Sequence, residues 1–459
     1  MVTASTGRGD EVEGMLPGTD LAVIGSGAAG LAAAWLLATR HRVTIYEREL
    51  RVGGHAHSVD IDHGGRRLSV DTGFLVYNTH NYPNFTRLLD ALGVESHESD
   101  MSFAASFDGG AFEYAGDRTL KGLIAQPVNL LRPNYWRMLA DVVRFYKRAE
   151  RDAADPVFGN LTVGEYLRSI GYSRAFIDGH LMPMAAAIWS APRDRIARFP
   201  LRAFVAFFAN HGLLQLKDRP RWRTISGGSA RYVEKIVNRP GISLSRGSPV
   251  VRLCRRQDGV YVRLADGSQK RHDAVIVATH ADTALRLLGP DASVDERRVL
   301  AAFQYQKNVA LLHRDARLMP KRRRAWAAWN YVVGVGTRGS DAVAVTYWLN
   351  RLQGFGGEDV FVSINPMIEP SSEKVIARFS YDHPLYDTGS FEVQSQLASL
   401  QGHGGIWFAG SYFGFGFHED AIASGLNAAE AFGVIRPWRV ADFPAPAPSL
   451  MSRSQPGAA

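Results

Sequence analysis

Cysteine is almost absent from the sequence, because Cys254 is the only one in 459 residues. A single thiol cannot form an internal disulfide, a cysteine-rich metal site or a thiol redox pair. The patterns H-E-x-x-H and C-x-x-C and paired aspartates are also missing, so no metal site is predicted. A reducing compartment fits these absences, and we expect a cytoplasmic protein.

The sequence also lacks a recognisable targeting segment. The first twenty residues, MVTASTGRGDEVEGMLPGTD, contain acids and glycines in place of the apolar core of a signal peptide. Residues 21–38 carry no charge and have the length of a membrane span, but Gly25, Gly27 and Gly30 interrupt them. A strand, a turn and a buried helix explain this stretch better than one spanning helix.

Length and charge bound the remaining possibilities. A chain of 459 residues favours two domains. The net charge of +8 favours an anionic partner, such as a membrane surface, an acidic ligand or nucleic acid. Residues 1–19 and 443–459 are rich in Pro, Ala, Gly and Ser and are predicted to be disordered tails.

A glycine-rich loop is the clearest motif. Residues 25–30, Gly-Ser-Gly-Ala-Ala-Gly, match G-x-G-x-x-G between the strand pattern LAVIG and the helical pattern AAGLAAAWLLATR. Such a loop permits a tight turn, a close approach of a pyrophosphate and close packing of helix on strand. Glu47 ends the next predicted strand, where an acid accepts hydrogen bonds from ribose hydroxyls. The pattern predicts a βαβ unit that binds a dinucleotide.

Three separated stretches resemble a group of flavoproteins. They are ERELRVGGHAHS from Glu47 onwards, DAVIVATH (273–280) and WFAGSYFGFGFHEDAIASG (407–425). In this order they resemble the FAD-binding group that includes amine oxidases and carotenoid desaturases. The resemblance implies FAD, held by both ends of the chain. Cys254 lies away from the C-terminal motif, so a non-covalent flavin is expected, with a linkage through His55 or His57 as the alternative.

A narrower resemblance covers most of residues 20–435. The stretches that carry it are VDTGFLVYNTHNYPNF (70–85), MPMAAAIWSAP (182–192), FFANHGLLQLKDRPRWRTISGGSARYVEKI (207–236) and MPKRRRAWAAWNY (319–331). They are similar to bacterial predicted FAD-binding proteins that also resemble the front portion of plant cyclopropane-fatty-acid synthases. The resemblance implies a lipid or fatty-acyl substrate and a lipid methyltransferase as a candidate partner.

We therefore expect an α/β fold, in which a Rossmann-type FAD-binding domain built from discontinuous segments accompanies an α+β substrate domain. The FAD-binding domain is assigned to residues 20–100, 222–300 and 400–440, and the substrate domain to residues 101–221 and 301–399. Alternating apolar residues and the turn pairs Asp258-Gly259 and Asp266-Gly267 predict a β-meander, followed by the buried strand AVIVAT.

The resemblance and the motifs together indicate the site residues. The expected FAD contacts are Gly25, Ser26, Gly27, Ala28, Ala29, Gly30, Glu47, Arg48, Gly53, Gly54, His55, Asp71, Gly73, Phe74, Val250, Ala278, Thr279, Gly410, Ser411, Phe417, His418, Glu419, Asp420 and Ala421. The C-terminal motif departs from many relatives in having Ser411 in place of an acid, and Glu419 or Asp420 is expected to take part of that role.

Three residues are catalytic candidates. His418 is the default base for the proton that accompanies hydride removal from a C–H bond. Tyr77 lies in GFLVYN, a stretch that approaches the isoalloxazine in relatives. Lys307 lies in a strand-like stretch and has about the placement of a lysine that holds a water near the flavin N5 in some amine oxidases.

Several stretches concern the substrate side. Residues 118–151 hold eight Lys or Arg and two acids among aromatics, which suits a membrane interface or a helix packed on its own domain. Residues 201–214, LRAFVAFFANHGLL, suit an acyl tunnel or ordinary core. Residues 321–324, KRRR, suit a phosphate head group or a solvated turn, and without a nucleic-acid fold no nucleic acid is expected.

These observations predict an FAD-dependent oxidoreductase that desaturates or isomerises an acyl chain of a fatty acid or membrane lipid, working peripherally at the inner face of the membrane. Two alternatives remain open. One is a flavin amine oxidase that releases hydrogen peroxide, and the other is a non-catalytic flavoprotein partner of a lipid-modifying methyltransferase.

Overall fold

A computed structural model describes residues 18–116, 122–215, 220–334 and 344–438. In these ranges the strands are β1 Asp20–Ile24, β2 Arg42–Tyr46, β3 Ser58–Asp62, β4 Arg67–Asp71, β5 Tyr77–Asn78, β6 Ser96–Ser99, β7 Phe103–Phe107, β8 Phe112–Gly116, β9 Trp222–Ile225, β10 Ile242–Ser245, β11 Val250–Arg256, β12 Gly259–Leu264, β13 Gln269–His272, β14 Ala274–Val277, β15 Gln304–His313, β16 Trp329–Val332, β17 Val345–Trp348, β18 Phe361–Ile364, β19 Val375–Leu385 and β20 Ile406–Phe408.

The helices of the same ranges are α1 Ala28–Leu37, α2 Pro83–Leu92, α3 Pro133–Ala154, α4 Pro156–Gly159, α5 Val163–Ile170, α6 Arg174–Phe176, α7 Met182–Trp189, α8 Arg193–Ala197, α9 Leu201–Asn210, α10 Ala230–Val237, α11 Ala281–Leu288, α12 Val294–Leu300, α13 Leu349–Leu352, α14 Thr388–Gln394 and α15 His418–Glu430. Both predicted tails lie outside the described residues, apart from residues 18 and 19.

The first strand lies in the middle of a five-stranded parallel sheet with the order β10-β2-β1-β14-β20. Leu21 pairs with Val43 on one side and with Ala274 on the other. The central strands β1 and β14 are buried, which matches their continuous apolar sequences. The predicted βαβ unit and the buried strand AVIVAT are therefore confirmed.

Helix α1 is buried along its whole length, because two glycines let neighbouring backbones touch it. A Cβ atom on Gly30 would lie 2.0 Å from the carbonyl oxygen of Gly25, and one on Gly425 would lie 2.1 Å from that of Ala29. No side chain fits at such distances. Glycine at these two positions therefore lets α1 pack on the end of β1 and against α15.

A seven-stranded mixed sheet forms a second layer, with the order β19-β15-β18-β17-β16-β7-β8. Its strands come from residues 103–116 and 304–385, whereas the parallel sheet draws on residues 20–46, 242–277 and 406–408. The α/β fold with a discontinuous nucleotide-binding part is thus confirmed. The exact limits of the two domains stay a prediction.

The predicted β-meander is present as the antiparallel sheet β11-β12-β13. Arg256 pairs with Gly259 across the first turn, and Gly259 has a φ angle of 142°. Gly267 has a φ of 86° in the second turn, where a residue with a side chain would be strained. Both turn pairs therefore stand where the sequence places them.

The helical segments lie between these sheets in the sequence. Helix α3 occupies most of the basic stretch 118–151, of which residues 118–121 lie outside the described part, and α5 to α9 follow. No helix in the described ranges is long and apolar enough to cross a membrane.

The contact between α1 and α15 gives a stability prediction. We expect Gly425→Ala to lower the free energy of unfolding by about 1–3 kcal/mol, because the new methyl group would overlap the carbonyl of Ala29. The sign is diagnostic, since alanine normally stabilises a helix interior relative to glycine by about 1 kcal/mol. Thermal unfolding of the two proteins measures the change, and a midpoint that is equal or higher in the variant would contradict the close contact.

Candidate functional site

The glycine-rich loop crosses the carboxyl end of the parallel sheet, where open α/β sheets bind their ligands. Gly25 has a φ of 100°, and its amide donates to the carbonyl of Tyr46 at 2.8 Å. Gly27 is the N-cap of α1, which has neither a side-chain cap nor an acid in its first turn. A Cβ atom on Gly27 would meet nothing within 4 Å. The first amides of α1, at Ala28, Ala29 and Gly30, are thus free of a side-chain cap.

The loop after β2 is pressed against this first loop. The Glu47 carboxylate accepts hydrogen bonds from the Ser26 amide at 3.0 Å and the Ser26 hydroxyl at 2.6 Å. The Gly53 amide donates to the Ser26 carbonyl, and a Cβ on Gly54 would lie 3.1 Å from the Cα of Gly27. Glycines at 53 and 54 therefore keep the two backbones in contact.

The two arginines of this loop have different partners. Arg48 is exposed and pairs with Glu49 at 3.3 Å, so its guanidinium is not drawn towards the glycine loop. Arg51 instead donates to the Gly54 carbonyl at 2.8 Å. The second basic residue of the motif, not the first, holds the glycine pair.

A third loop, after β4, joins the same place. The Phe74 amide donates to the His55 carbonyl at 2.8 Å, and a Cβ on Gly73 would lie 2.3 Å from that oxygen. Asp71 is buried and accepts from the hydroxyls of Ser58 and Ser229 at 2.6 and 2.7 Å. Burial raises the pKa of Asp71 to about 6. The hydrogen bonds from Ser58 and Ser229 hold Asp71, the last residue of β4, and so fix the start of this loop.

The C-terminal motif closes the site from the opposite end of the chain. A Cβ on Gly410 would lie 3.4 Å from the carbonyl oxygen of Thr279, so the loops after β14 and β20 lie side by side. The Ser411 carbonyl accepts the amides of Gly414 and Gly416. Ala278 is bound to β1 through its amide, which donates to the Ile24 carbonyl at 2.9 Å.

Two neighbouring acids at the start of α15 organise the loops around it. Asp420 accepts the amides of Phe415 and Phe417, each at 2.9 Å. Glu419 accepts the amides of Asn84 and Phe85, each at 2.9 Å, at the start of α2. Burial raises the pKa of Asp420 to about 6 and that of Glu419 to about 7. Both carboxylates are thus engaged by protein amides.

His418 begins α15 and lies between aromatic rings. Its imidazole stacks on Phe74 with 3.8 Å between ring centroids, and its Nε2 is 2.7 Å from the Tyr232 hydroxyl. Burial lowers the pKa of His418 to about 3. The ring is therefore neutral at physiological pH and is a weak proton acceptor.

Three further histidines lie near His418, and with it form what we call the histidine cluster: His55, His280 and His383. The rings of His55 and His383 have centroids 5.4 Å apart. Burial, followed by repulsion from the other three histidines, lowers the pKa of His55, and burial lowers the pKa of His383 to about 4. The cluster therefore carries no positive charge at neutral pH.

The residues of β15 and β19 that contact these histidines and their neighbour His57 were not identified from the sequence. Tyr305 stacks on His280 at 4.3 Å, and the Asn308 side-chain amide is 2.9 Å from Nδ1 of His383. Tyr381 binds Nδ1 of His57 through its hydroxyl at 2.7 Å. These residues lie on β15 and β19, and no local motif marks them.

Among the described residues, the catalytic candidates Lys307 and Tyr77 make no hydrogen bond or ring contact with His418 or the other histidines of the cluster. Lys307 is exposed on β15 opposite Asp382, whereas its neighbour Asn308 makes the contact with the histidine cluster. The Tyr77 hydroxyl donates to Ser96 at 2.7 Å, and its ring packs on Phe85. Phe85 separates Tyr77 from His418, so Tyr77 supports the site from a second layer.

The two remaining cofactor candidates, Val250 and Ala421, lie next to residues of the site. Val250 begins β11, two residues after Ser248, whose amide donates to the Glu47 carbonyl at 2.9 Å. Ala421 is buried in the first turn of α15.

Aromatic rings from α9 cover Phe417. Phe207 stacks on Phe417 at 4.7 Å and on His211 at 3.9 Å. Phe204 and Phe208 stack on each other at 4.3 Å and pack near Trp189, inside the protein. One helix therefore supplies both a ring that packs on Phe417 and ordinary core.

The basic run at 321–324 is partly engaged by the protein itself. Arg322 donates to the buried carboxylate of Glu113 at 2.9 Å. Arg323 donates to Asp359 at 2.7 Å and lies 3.9 Å over the ring of Trp326. A phosphate head group would compete with these internal partners for two of the four cations.

The arrangement fits FAD. The first turn of α1 is open at Gly27, and side chains at positions 27 and 54 would fill the space beside it. Glu47 uses three acceptor positions on Ser26 and Glu49, of about four that a carboxylate offers. Amides of α1 suit a pyrophosphate and Glu47 suits a ribose. Phe74 stacks on His418, the first residue of α15, and Phe417 directly precedes it. In the described ranges no group of three His, Cys, Asp or Glu residues is arranged for a metal ion.

The buried Glu419 gives a pH prediction. Its pKa rises from an ordinary value of 4.5 to about 7 in the fold, so its contribution to stability is greatest below pH 4.5 and is lost as the pH rises towards 7. Glu419→Gln removes this titration. We expect the stability of the variant relative to wild type to increase by about 1–3 kcal/mol between pH 5 and pH 7.5.

Thermal unfolding at the two pH values measures this difference. Glu165→Gln is the control, because the pKa of Glu165 is lowered by hydrogen bonds from Thr162 and the group stays ionised throughout that range. A difference that is flat for Glu419→Gln as well would refute the burial argument.

The open position of Gly27 gives a binding prediction. We expect Gly27→Ala to fold as stably as wild type without cofactor, because its methyl group meets no protein atom, and to bind FAD at least tenfold more weakly, a loss of about 1.4 kcal/mol. Gly356→Ala is the matched control, since that position is exposed and also open. Flavin fluorescence titration measures both constants, and equal affinities would show that the pyrophosphate lies elsewhere.

Comparisons with known proteins agree with this geometry. A search of curated protein sequences finds no significant match. Among solved structures, a candidate protoporphyrinogen oxidase from Exiguobacterium sp. 255-15 superposes with a TM-score of 0.65 at 16% identity, covering 91% of this chain and 99% of the other. The CLA-producing fatty acid isomerase from P. acnes gives 0.61 at 16% identity, covering 93% and 100%. Cyclohexylamine oxidase from Brevibacterium oxydans IH-35A gives 0.61 at 15% identity, covering 91% and 99%.

At these identities the solved structures establish the fold that the chain shares with them. The family is established by sequence, because the family model of flavin-containing amine oxidoreductases matches residues 28–314, more than half of the chain. That range includes the first turn of α1, Glu47, the glycine pair and β14. The chain belongs to the flavin-containing amine oxidoreductase family and is an FAD-dependent oxidoreductase.

Proposed function

We propose that this oxidoreductase acts on an acyl chain of a fatty acid or membrane lipid, which it desaturates or whose double bond it moves. The observation that carries the proposal is the apolar surrounding of the His418 ring. The His418 ring centroid lies 3.8 Å from that of Phe74 and 5.2 Å from that of Phe85, and burial lowers the pKa of His418 to about 3, so the imidazole is neutral at physiological pH. An uncharged carbon chain can be desolvated there without an ionic partner.

The acids of the site support the same substrate class. An ammonium group that enters a buried site is normally paired with a carboxylate or held over aromatic faces. The carboxylate oxygens of Glu419 accept hydrogen bonds from amides at the start of α2, and those of Asp420 accept from amides of the loop before α15. Neither carboxylate is therefore free to pair with an ammonium group. Asp71 is likewise engaged by serine hydroxyls.

The chain's own residues have distinct roles in this proposal. The amides of α1, Glu47 and the glycine pair would hold FAD, which when bound supplies the hydride acceptor. The stacked rings of Phe207 and Phe417 would exclude water from the start of α15. The Tyr232 hydroxyl fixes the orientation of the His418 ring. We assign two roles to His418: it positions the substrate and, as a weak neutral base, it accepts the proton that desaturation releases together with the hydride. Movement of a double bond returns the hydride to the chain and releases no proton overall.

A fold shared with the CLA-producing fatty acid isomerase is compatible with acyl chemistry. Amine oxidation is the second candidate. The family description and the cyclohexylamine oxidase neighbour favour it, and the rings of Phe207 and Phe417 suit a cation as well as an alkyl chain. A third outcome is a flavoprotein that binds lipid or a lipid methyltransferase without catalysis.

The test is anaerobic incubation of the FAD-loaded protein with two sets of probes. We expect linoleic acid or vesicles with unsaturated acyl chains either to bleach the flavin absorbance or to yield a lipid with a moved double bond, detected by mass spectrometry. Isomerisation leaves the flavin oxidised at the end, so both readouts are needed. Primary monoamines and diamines are expected to leave the absorbance unchanged.

The Gly27→Ala protein, prepared without cofactor, is the control that ties any lipid change to the flavin. Rapid bleaching by an amine, with hydrogen peroxide on readmission of oxygen, would replace the proposal with amine oxidation. An unchanged flavin and unchanged lipids with every probe would favour the non-catalytic role.

A further inference from the structure

The segment that leads into α3 has its polar and apolar residues in reversed positions. Gln126 and Asn129 are buried, at 3% and 0% exposure, whereas Leu131 is 83% exposed and Val128 is 46% exposed. Soluble proteins bury apolar side chains and expose amides, so the informative observation is this inversion. It continues into α3, where Trp136 is 54% exposed.

The buried amides hold the segment firmly. The Gln126 side chain accepts the amide of Glu113 at 2.8 Å and donates to the Ala111 carbonyl, and Asn129 donates to the Glu113 carbonyl at 2.8 Å. Arg132 donates to the same Ala111 carbonyl at 2.9 Å. The polar side chains thus bind the turn before β8, and the apolar side chains are left to point away from the protein.

Five exposed apolar side chains lie within residues 124–136. We call them the apolar patch: Ile124, Val128, Leu130, Leu131 and Trp136. The Trp136 indole N–H donates to the Leu130 carbonyl at 2.8 Å. Its donor is therefore already satisfied, and transfer of the ring out of water leaves no polar group unpaired.

Cations lie near this patch, either in the same stretch of sequence or on the turn that anchors it. Arg132 and the exposed Arg137 belong to it in sequence. The turn that anchors the segment is also the turn that holds the basic run, because Arg322 donates to Glu113 and to the Gly110 carbonyl. Lys321 lies against Gly110 and is exposed. Apolar and aromatic side chains with cations at their border match the chemistry of an anionic lipid surface.

We propose that the apolar patch is a docking surface for an anionic lipid bilayer, into which Leu131 and Trp136 insert while the neighbouring Arg and Lys residues meet the head groups. This docking surface is smaller than the basic stretch 118–151, whose sequence as a whole suits a membrane interface. The later part of α3 packs on the protein, since Asp152 is buried and binds Arg148 and the Tyr166 hydroxyl. Docking therefore uses the beginning of α3 and the segment before it.

Cosedimentation with vesicles tests this surface on the full chain with bound FAD and without substrate. We expect wild type to bind vesicles of phosphatidylglycerol and phosphatidylcholine in equal parts and to bind pure phosphatidylcholine much more weakly. Leu131→Glu, and Leu131→Glu combined with Trp136→Ala, are expected to lower the partition coefficient at least tenfold.

Val294→Glu is the matched control, because Val294 is 81% exposed at the first position of α12 and lies outside the patch. It is expected to bind vesicles as wild type does. Flavin absorbance and circular dichroism confirm that each variant is folded.

Wild-type protein that stays in the supernatant with anionic vesicles would overturn the proposal, as would equal binding by Leu131→Glu. A wild-type dimer that dissociates on Leu131→Glu would instead assign the patch to a second copy of the chain. Because no turnover is measured, failure here leaves the proposed acyl chemistry intact, and failure of that chemistry leaves the docking surface intact.

Discussion

The backbone contact between Ala29 and Gly425 is the constraint on which the site depends. It sets helix α1, near the start of the chain, directly against helix α15, near its end. The glycine-rich loop leads into α1, and the loop that ends at Phe417 leads into α15, which begins at His418. Because the two helices touch without intervening side chains, the loops before them converge on the same edge of the parallel sheet.

Hydrogen bonds then fix what the helix contact brings together. Two consecutive residues divide the work: Glu419 holds the start of α2, and Asp420 holds the turn before its own helix. Burial disfavours the ionised form of both carboxyls, and their amide partners offset part of that cost. The result is a site with fixed backbone loops whose acids are bonded to protein amides, a suitable setting for transfer of a hydride between carbon and flavin.

The local parts of this arrangement could be predicted from the sequence, because their signals are short. A strand, three glycines and a helix determine the phosphate loop, and Asp-Gly pairs mark the meander turns. The histidine cluster depends on pairing between β15 and β19 and on loops hundreds of residues apart. A one-residue difference on a strand reverses the face, which is why Asn308 contacts the cluster while Lys307 faces outwards. The exposure of Leu131 could not be predicted from the sequence either, because the nearby amide side chains of Gln126 and Asn129 are buried in place of apolar ones.

The position of α15 also bears on how the protein matures. During synthesis the phosphate loop leaves the ribosome long before residues 418–430 do, and until then the start of α2 lacks the carboxylate of Glu419 and α1 lacks its neighbour. A nascent chain can fold its first βαβ unit, but it cannot yet form the contact between α1 and α15. Closure of the two halves of the parallel-sheet layer must therefore wait until α15 has been synthesised, and a chain truncated before α15 lacks the contact on which the site depends.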